Sequence, residues 1–293
     1  MEHPCPSRAQ HHQVPYGDRR HDNGRMRHTI SPDMPGLTVP KGPNSSRSFR
    51  SRFRSKHSMI QDTGWWRPYH TLDAVEVFAI DLSAHADREA TALCLLDDRE
   101  TVRYGSFLVE DARRRFLLSR GALRLLLGSK LDCPATKLSY VAVSHGKPQA
   151  VVDGAPVPLS FNVSHSGDHG LIALTTACGI GVDLEQRRHQ VDLDGVAARV
   201  FGNCERRALS RLTGPAKLAL FYRLWTCKEA LVKAKGTGFR YDPTRFEVPR
   251  EIIAGARTAL FGFPEDDTPR WLLTDLGSDG FAAALAYERR TQL

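Results

Sequence analysis

The stretch WTCKEALVKAKGTG, Trp225 to Gly238, poses the question from which the fold can be read. Upstream of it, Leu218, Phe221, Tyr222 and Trp225 recur at helical spacing and define one apolar stripe, so Pro215–Lys235 is expected to be a long core helix. One i+4 step past Trp225 the stripe meets Glu229, and a further step meets Lys233. A carboxylate on an inner stripe needs a positive partner. Taken alone, the two could form an ordinary helical ion pair, worth ~0.3–0.5 kcal/mol at a surface.

A second acidic stretch offers another account. GIGVDLE, Gly179–Glu185, reads as a strand, with Ile180, Val182 and Leu184 toward the core. Asp183 and Glu185 then share the opposite face with Gly181. That face is either a solvated exterior or a site for a hard cation such as Mg²⁺, which favours one or two carboxylates plus waters and substrate phosphates. With Glu229 as a third acid, the cation site becomes the better account, and Lys233 is left to face a phosphate.

Other stretches add phosphate-type groups. In GKPQA, Lys147 is a point charge ahead of a proline-fixed turn. In FNVSHSG, Ser164 and His165 close an apolar strand before a Ser-Gly turn. A Ser-His pair can mark nucleophilic catalysis, but no third member appears at a telling spacing, and strand neighbours point oppositely, so phosphate contact fits better. Arg113, Arg114, Arg115, Arg120 and Arg124 wrap several faces of one helix, most toward solvent, with one or two available for a phosphate.

Outward from these motifs, Ala74–Leu82 is expected to be a strand, Thr91–Phe107 a helix leading into a loop, and Val109–Leu131 a strong helix stopped at Gly128. Short strand signals follow in LSYVAVS, AVVD, LSFNVSHS, GLIALTTA and GIGVDLE, then helices at Val191–Val200, Glu205–Leu212 and Pro215–Lys235, and strands in RFEVP, RWLLTDL and FAAALAYE. Strand, helices, strands occurs twice without any sequence repeat. The expected fold is α+β, with two similar halves, about 72–177 and 178–293, each a small, mostly antiparallel sheet packed with helices around one shared interface.

Composition narrows the class. Of the formal charge of +8, residues 1–58 carry +7, from eleven Lys/Arg against four Asp/Glu, which leaves +1 for the rest. This arm is rich in Pro, Gly, Ser, His and Arg, lacks an apolar period and is expected to be disordered. It also lacks the apolar core of a secretory signal. A nucleic-acid role for it is not expected, since such tails are usually only solvated. The six cysteines are scattered, without metal-ligand spacing, as in a reducing, cytoplasmic setting. No apolar run is long enough to span a membrane.

The ordered blocks GKP, FNVSHSG, GIGVDLE and FYRLWTCKEALVKAKGTGF together resemble the Sfp-type 4′-phosphopantetheinyl transferases, from about Ala74 to the C-terminus. Glu205 in FGNCERRAL stands at the family's FxxxE acid, and DARRRFLLSRGALRLLLG looks like its Arg-rich helix. The resemblance implies a pseudo-dimer of two α+β halves with coenzyme A between them. It implies transfer of the phosphopantetheine arm to a serine of an apo acyl or peptidyl carrier protein, releasing 3′,5′-ADP. Asp183, Glu185 and Glu229 would hold Mg²⁺, Glu229 would also be the base, and Lys233 would stabilise the pyrophosphate. Lys147, Ser164 and His165 would contact coenzyme A phosphates, and Arg103 and Arg115 the 3′-phosphate region. Thr237 departs from the lysine often found between the two glycines. The internal duplication makes a monomer sufficient. The pathway served, among fatty-acid, polyketide and peptide synthesis, is not legible, and a non-catalytic coenzyme A or carrier-binding module is the alternative.

Overall fold

The computed structural model describes residues 64–142, 147–176, 179–189, 192–237, 241–267 and 270–289. The basic arm 1–58 lies outside the described residues.

The first half opens on a hairpin, β1 (Trp66–Leu72) and β2 (Val75–Asp81). Helices α1 (Ala86–Leu95), α2 (Asp98–Gly105) and α3 (Glu110–Leu131) follow. Next come β3 (Leu138–Ala142), β4 (Pro148–Val152), β5 (Ala155–Pro156), β6 (Ser160–Ser166) and β7 (His169–Thr175). The second half has β8 (Ile180–Gln186), α4 (Leu193–Val200), α5 (Asn203–Ser210), α6 (Gly214–Lys235), α7 (Arg250–Ile253), β9 (Thr258–Phe261), β10 (Trp271–Asp275) and β11 (Phe281–Glu288).

Two four-stranded antiparallel sheets result, ordered β1-β2-β7-β6 and β8-β11-β10-β9. The sub-order β2-β7-β6 matches β8-β11-β10, so the fold is α+β with two similar halves. A small third sheet joins β3, β4 and β5. The long helix α3 lies against β2 and β6, and α6 against β8 and β11. Between the halves, Val75, Val77, Leu171 and Ala173 pack with Ile180, Val182, Leu184, Leu285 and Tyr287 in one buried cluster. The outer core of the second half gathers Phe221, Phe246, Phe261, Phe263 and Trp271, largely edge-to-face.

Several expectations are corrected. Ordered structure starts ahead of residue 72, with β1, which carries no clean alternation and is an edge strand with a register shift at Pro68–His70, where a proline is tolerated. Thr91–Phe107 is not one helix. The Asp97 carboxylate accepts from Glu100 N and Glu100 accepts from Asp97 N, and this capping box starts a new helix. Gly128 does not stop α3, which runs on to Leu131 and ends at a left-handed Asp132. The missing side chain at Gly128 instead lets the chain return close by, at the Cys133 carbonyl. RFEVP is no strand: the Phe246 carbonyl accepts from Lys228 and the Val248 amide donates to Glu205, so its polar groups are taken by side chains. Arg124 faces no solvent. It is fully buried, bonded to Glu100, Asp97 and the Ala135 and Leu138 carbonyls.

Candidate active site at the seam between the halves

The strand β8 is buried on both faces. Ile180, Val182 and Leu184 meet the first half, as the alternation predicts. The other face is not a solvated exterior: Gly181, Asp183 and Glu185 turn toward α6. At Gly181 a β-carbon would run into the Ala230 carbonyl and the Ala234 amide, so only glycine permits this approach of strand and helix. That contact brings Asp183 to the last turns of α6.

Asp183 is 3% exposed. Its Oδ1 accepts from Lys233 Nζ at 2.6 Å and from Ser164 Oγ at 3.0 Å. Its Oδ2 is buried without a partner among the described residues. Lys233 Nζ also reaches Ser164 Oγ and the Val182 carbonyl, each at 3.3 Å. Glu185 accepts from Ser166 Oγ at 2.9 Å. Burial, then the Asp183 charge, raises the pKa of Glu185. The same two causes raise that of Glu229, opposed by Lys233. The three acids therefore lie within electrostatic reach of one another, and among the described residues Lys233 is the one lysine paired with them. No group of three or more Asp, Glu, His and Cys side chains among the described residues is gathered closely enough to cage a metal. The orphaned Asp183 oxygen, beside two carboxyls whose ionisation costs free energy, nevertheless fits a cation that takes one or two carboxylates and completes its shell with water and phosphate.

The remaining expected site residues are distributed as follows. Ser164 is turned inward, its hydroxyl on Asp183 and on the Leu184 amide. Lys147 Nζ donates to the Ile180 carbonyl at 2.8 Å and the Lys233 carbonyl at 3.3 Å, the latter in the last turn of α6. Burial lowers its pKa to about 8. His165 is exposed at the surface of the residue, yet desolvation of its ring, then the Arg115 charge, lowers its pKa. Arg103 stacks over Phe116, the neighbour of Arg115 on α3, with its guanidinium carbon 5.4 Å from the ring centre. His165, Arg115 and Arg103 thus share one region of the first half.

The most buried charge in the opening stretch was missed by the stripe argument. Lys228, 1% exposed, pairs with fully buried Glu205 at 2.9 Å and donates to the Pro243 and Phe246 carbonyls. Glu205 also accepts from the Gly202 and Val248 amides. Burial acts against both charges, raising the pKa of Glu205 and lowering that of Lys228, and these bonds offset it. The signal was present: Phe221, Leu224, Lys228 and Leu231 form a second inner stripe. Glu205, placed among the family blocks, is thus a scaffold residue here.

Comparison with known proteins gives the family. Residues 179–286 match the model of the 4′-phosphopantetheinyl transferase superfamily, and residues 84–177 match that of the 4′-phosphopantetheinyl transferase N-terminal region. A putative 4′-phosphopantetheinyl transferase of Synechocystis is 36% identical over 202 residues, 66% of this chain and 79% of the relative. The 4′-phosphopantetheinyl transferase HetI of Nostoc is 36% identical over 215 residues, 73% of this chain and 87% of the relative. The human L-aminoadipate-semialdehyde dehydrogenase-phosphopantetheinyl transferase is 27% identical over 160 residues, 52% of each chain. The chain belongs to the 4′-phosphopantetheinyl transferase superfamily. It is a phosphopantetheinyl transferase, and its relatives span bacterial and animal enzymes rather than the Sfp type alone. No helix among the described residues is long and apolar enough to cross a membrane.

Proposed function

We propose that this protein transfers the 4′-phosphopantetheine arm of coenzyme A to a serine of an apo acyl or peptidyl carrier protein, with Mg²⁺, and releases 3′,5′-ADP. The observation that carries the reading is Asp183, buried at the seam with one oxygen on Lys233 and the other unpartnered, beside Glu185 and Glu229.

In this reading Glu229, its pKa raised by burial and by Asp183, takes the proton of the carrier serine as base. The serine oxygen forms a bond to the phosphorus that bears pantetheine, the bond from that phosphorus to the bridging oxygen breaks, and the electron pair leaves on 3′,5′-ADP. Asp183, Glu185 and Glu229 would hold the metal, which supplies charge neutralisation at the pyrophosphate. Lys233, which lies on Asp183, would serve the same developing charge. Lys147, Ser164 and His165 would line the phosphates, and Arg103 and Arg115 the 3′-phosphate. No covalent enzyme intermediate is needed, because positioning and charge neutralisation suffice for such a transfer.

The test is a mass measurement. Apo carrier proteins mixed with the enzyme, coenzyme A and Mg²⁺ should gain the mass of one phosphopantetheine arm, and EDTA or Asp183→Ala should abolish the gain. Coenzyme A binding without any gain on fatty-acid, polyketide or peptide carriers would refute the reading.

A further inference from the structure

Among the described residues, the edge of β8 that faces the first half has no main-chain strand partner, since β8 is hydrogen-bonded only to β11. Two of its outward amides are nevertheless satisfied by side chains. Val182 N donates to Asn162 Oδ1 at 2.8 Å, and Leu184 N donates to Ser164 Oγ at 3.2 Å. One step further, Ser166 Oγ donates to the Glu185 carboxylate at 2.9 Å. Asn162, Ser164 and Ser166 are alternate residues of β6, so they share one face and meet β8 in sequence. The turn that follows is docked as well: Gly167, at φ 59°, lies so close to the Gln186 side chain that a β-carbon there would collide with it.

An ordinary ladder between these strands would satisfy the same amides at a spacing of about 4.8 Å. It would leave the hydroxyls of Ser164 and Ser166 pointing together off one face of the sheet. Side chains of β6 fill the seam instead and deliver one hydroxyl to Asp183 and one to Glu185. A structural seam needs the two amide bonds. It does not need Ser166, whose hydroxyl meets no backbone amide of β8 and ends on the carboxylate alone among the hydrogen bonds of the described residues.

We infer that Ser166 is a positioning residue: held on the first half, it fixes the rotamer of Glu185 on the second, so that the acidic site is assembled only when the halves are in register. Asn162 fixes the backbone of β8 in the same seam. This inference rests on the proposed role of Glu185 and deepens it. The Glu185 side chain has two staggered torsions and a broad carboxylate torsion to lose on binding, and a hydroxyl that pre-orders them removes that cost in advance.

The experiment compares the full-length wild type with Ser166→Ala and Ser166→Thr. Three readouts are taken: transfer kinetics with coenzyme A varied, Mn²⁺ binding to the coenzyme A complex by electron paramagnetic resonance, and thermal denaturation. Ser166→Ala should lower kcat and Mn²⁺ affinity by about tenfold, as loss of an outer-shell partner does. Its KM for coenzyme A and its melting temperature should stay at wild-type values, and threonine should restore both losses. Wild-type kcat and Mn²⁺ affinity in Ser166→Ala would overturn the inference. So would a loss that threonine does not repair and that comes with a lower melting temperature. If Asp183→Ala retains full transfer, the function reading fails by itself, whatever Ser166 does.

Discussion

The two halves place comparable residues at comparable positions and use them differently. In each, an eight-residue helix, α2 or α5, carries a glutamate at its third position that accepts from the backbone at the helix start, Glu100 and Glu205. In each, that glutamate pairs with a buried cation on a 22-residue helix, Arg124 on α3 and Lys228 on α6. Counted from Glu110 and from Gly214, the two cations occupy the same helical position. What both halves share is scaffold. The faces beside these pairs differ. The strand β2 shows Glu76, Phe78 and Ile80 at the places where β8 shows Gly181, Asp183 and Glu185. On the helices, Leu125 and Ser129 stand where α6 has Glu229 and Lys233. The first half is packed with apolar side chains at the positions of all three acids. The second half leaves out a side chain at Gly181, draws its helix in and places carboxylates there.

The sharpest break of this comparison is Glu229→Gln. Transfer should fall by about 10²–10⁴-fold, the contribution of a general base, with coenzyme A affinity by calorimetry unchanged. Near-normal turnover would remove Glu229 from both of its proposed roles.

Next in size are the twin ion pairs. Lys228→Met strands the Glu205 carboxylate in the core and should cost about 3–5 kcal/mol in urea denaturation. Arg124→Met should cost less, because Arg120 still pairs with Glu100 at 3.1 Å. Lys228→Met combined with Glu205→Leu should recover much of the loss, and failure to recover would show that the two side chains act separately.

Gly181→Ala should cost about 1–3 kcal/mol by forcing α6 off β8, and it should lower transfer with it. At the matching position of the first half, Glu76→Ala should leave transfer intact and cost about 1 kcal/mol or less.

A different kind of test is a slope with pH. Lys147 titrates at about 8 when folded against 10.5 as its ordinary value, so between these the unfolded chain holds the proton that the folded chain has lost. This group therefore adds stability as pH rises from about 8 to 10.5, and the contribution is lost as pH falls through 8. Lys147→Met should flatten that part of the stability curve, measured by denaturant midpoints across the range. An unchanged slope would mean that the amine is not desolvated in solution.

Much of the site was legible because its signals are local. Alternation put Asp183 and Glu185 on the face of a strand opposite Ile180, Val182 and Leu184, and i+4 spacing put Glu229 and Lys233 on one line of a helix. Most strands and long helices were found for the same reason, since their periods are written within a few residues. The misses are of another kind. The edge strand β1 is held by its partner and not by its own pattern. RFEVP has strand-like composition, but Lys228 and Glu205 take its polar groups. Arg124 stands among arginines read as mostly solvent-facing, and Lys228 was not singled out, because a buried charge is recognised only with its partner, and those partners lie 24 and 23 residues away in the chain.

By itself the sequence determined the periodicities, the acidic residues, the motif blocks and hence the superfamily, because helical and strand repeats and short motifs are properties of neighbouring residues. Only the tertiary structure decided that the outer face of β8 is a second core, that Lys233 lies on Asp183, that Ser164 and Ser166 reach the acids from the other half, and that the halves repeat a buried ion pair with no sequence repeat to announce it. Each of these depends on groups far apart in the chain meeting where water is excluded, and there a charge or hydroxyl is defined by the partner that packing brings to it.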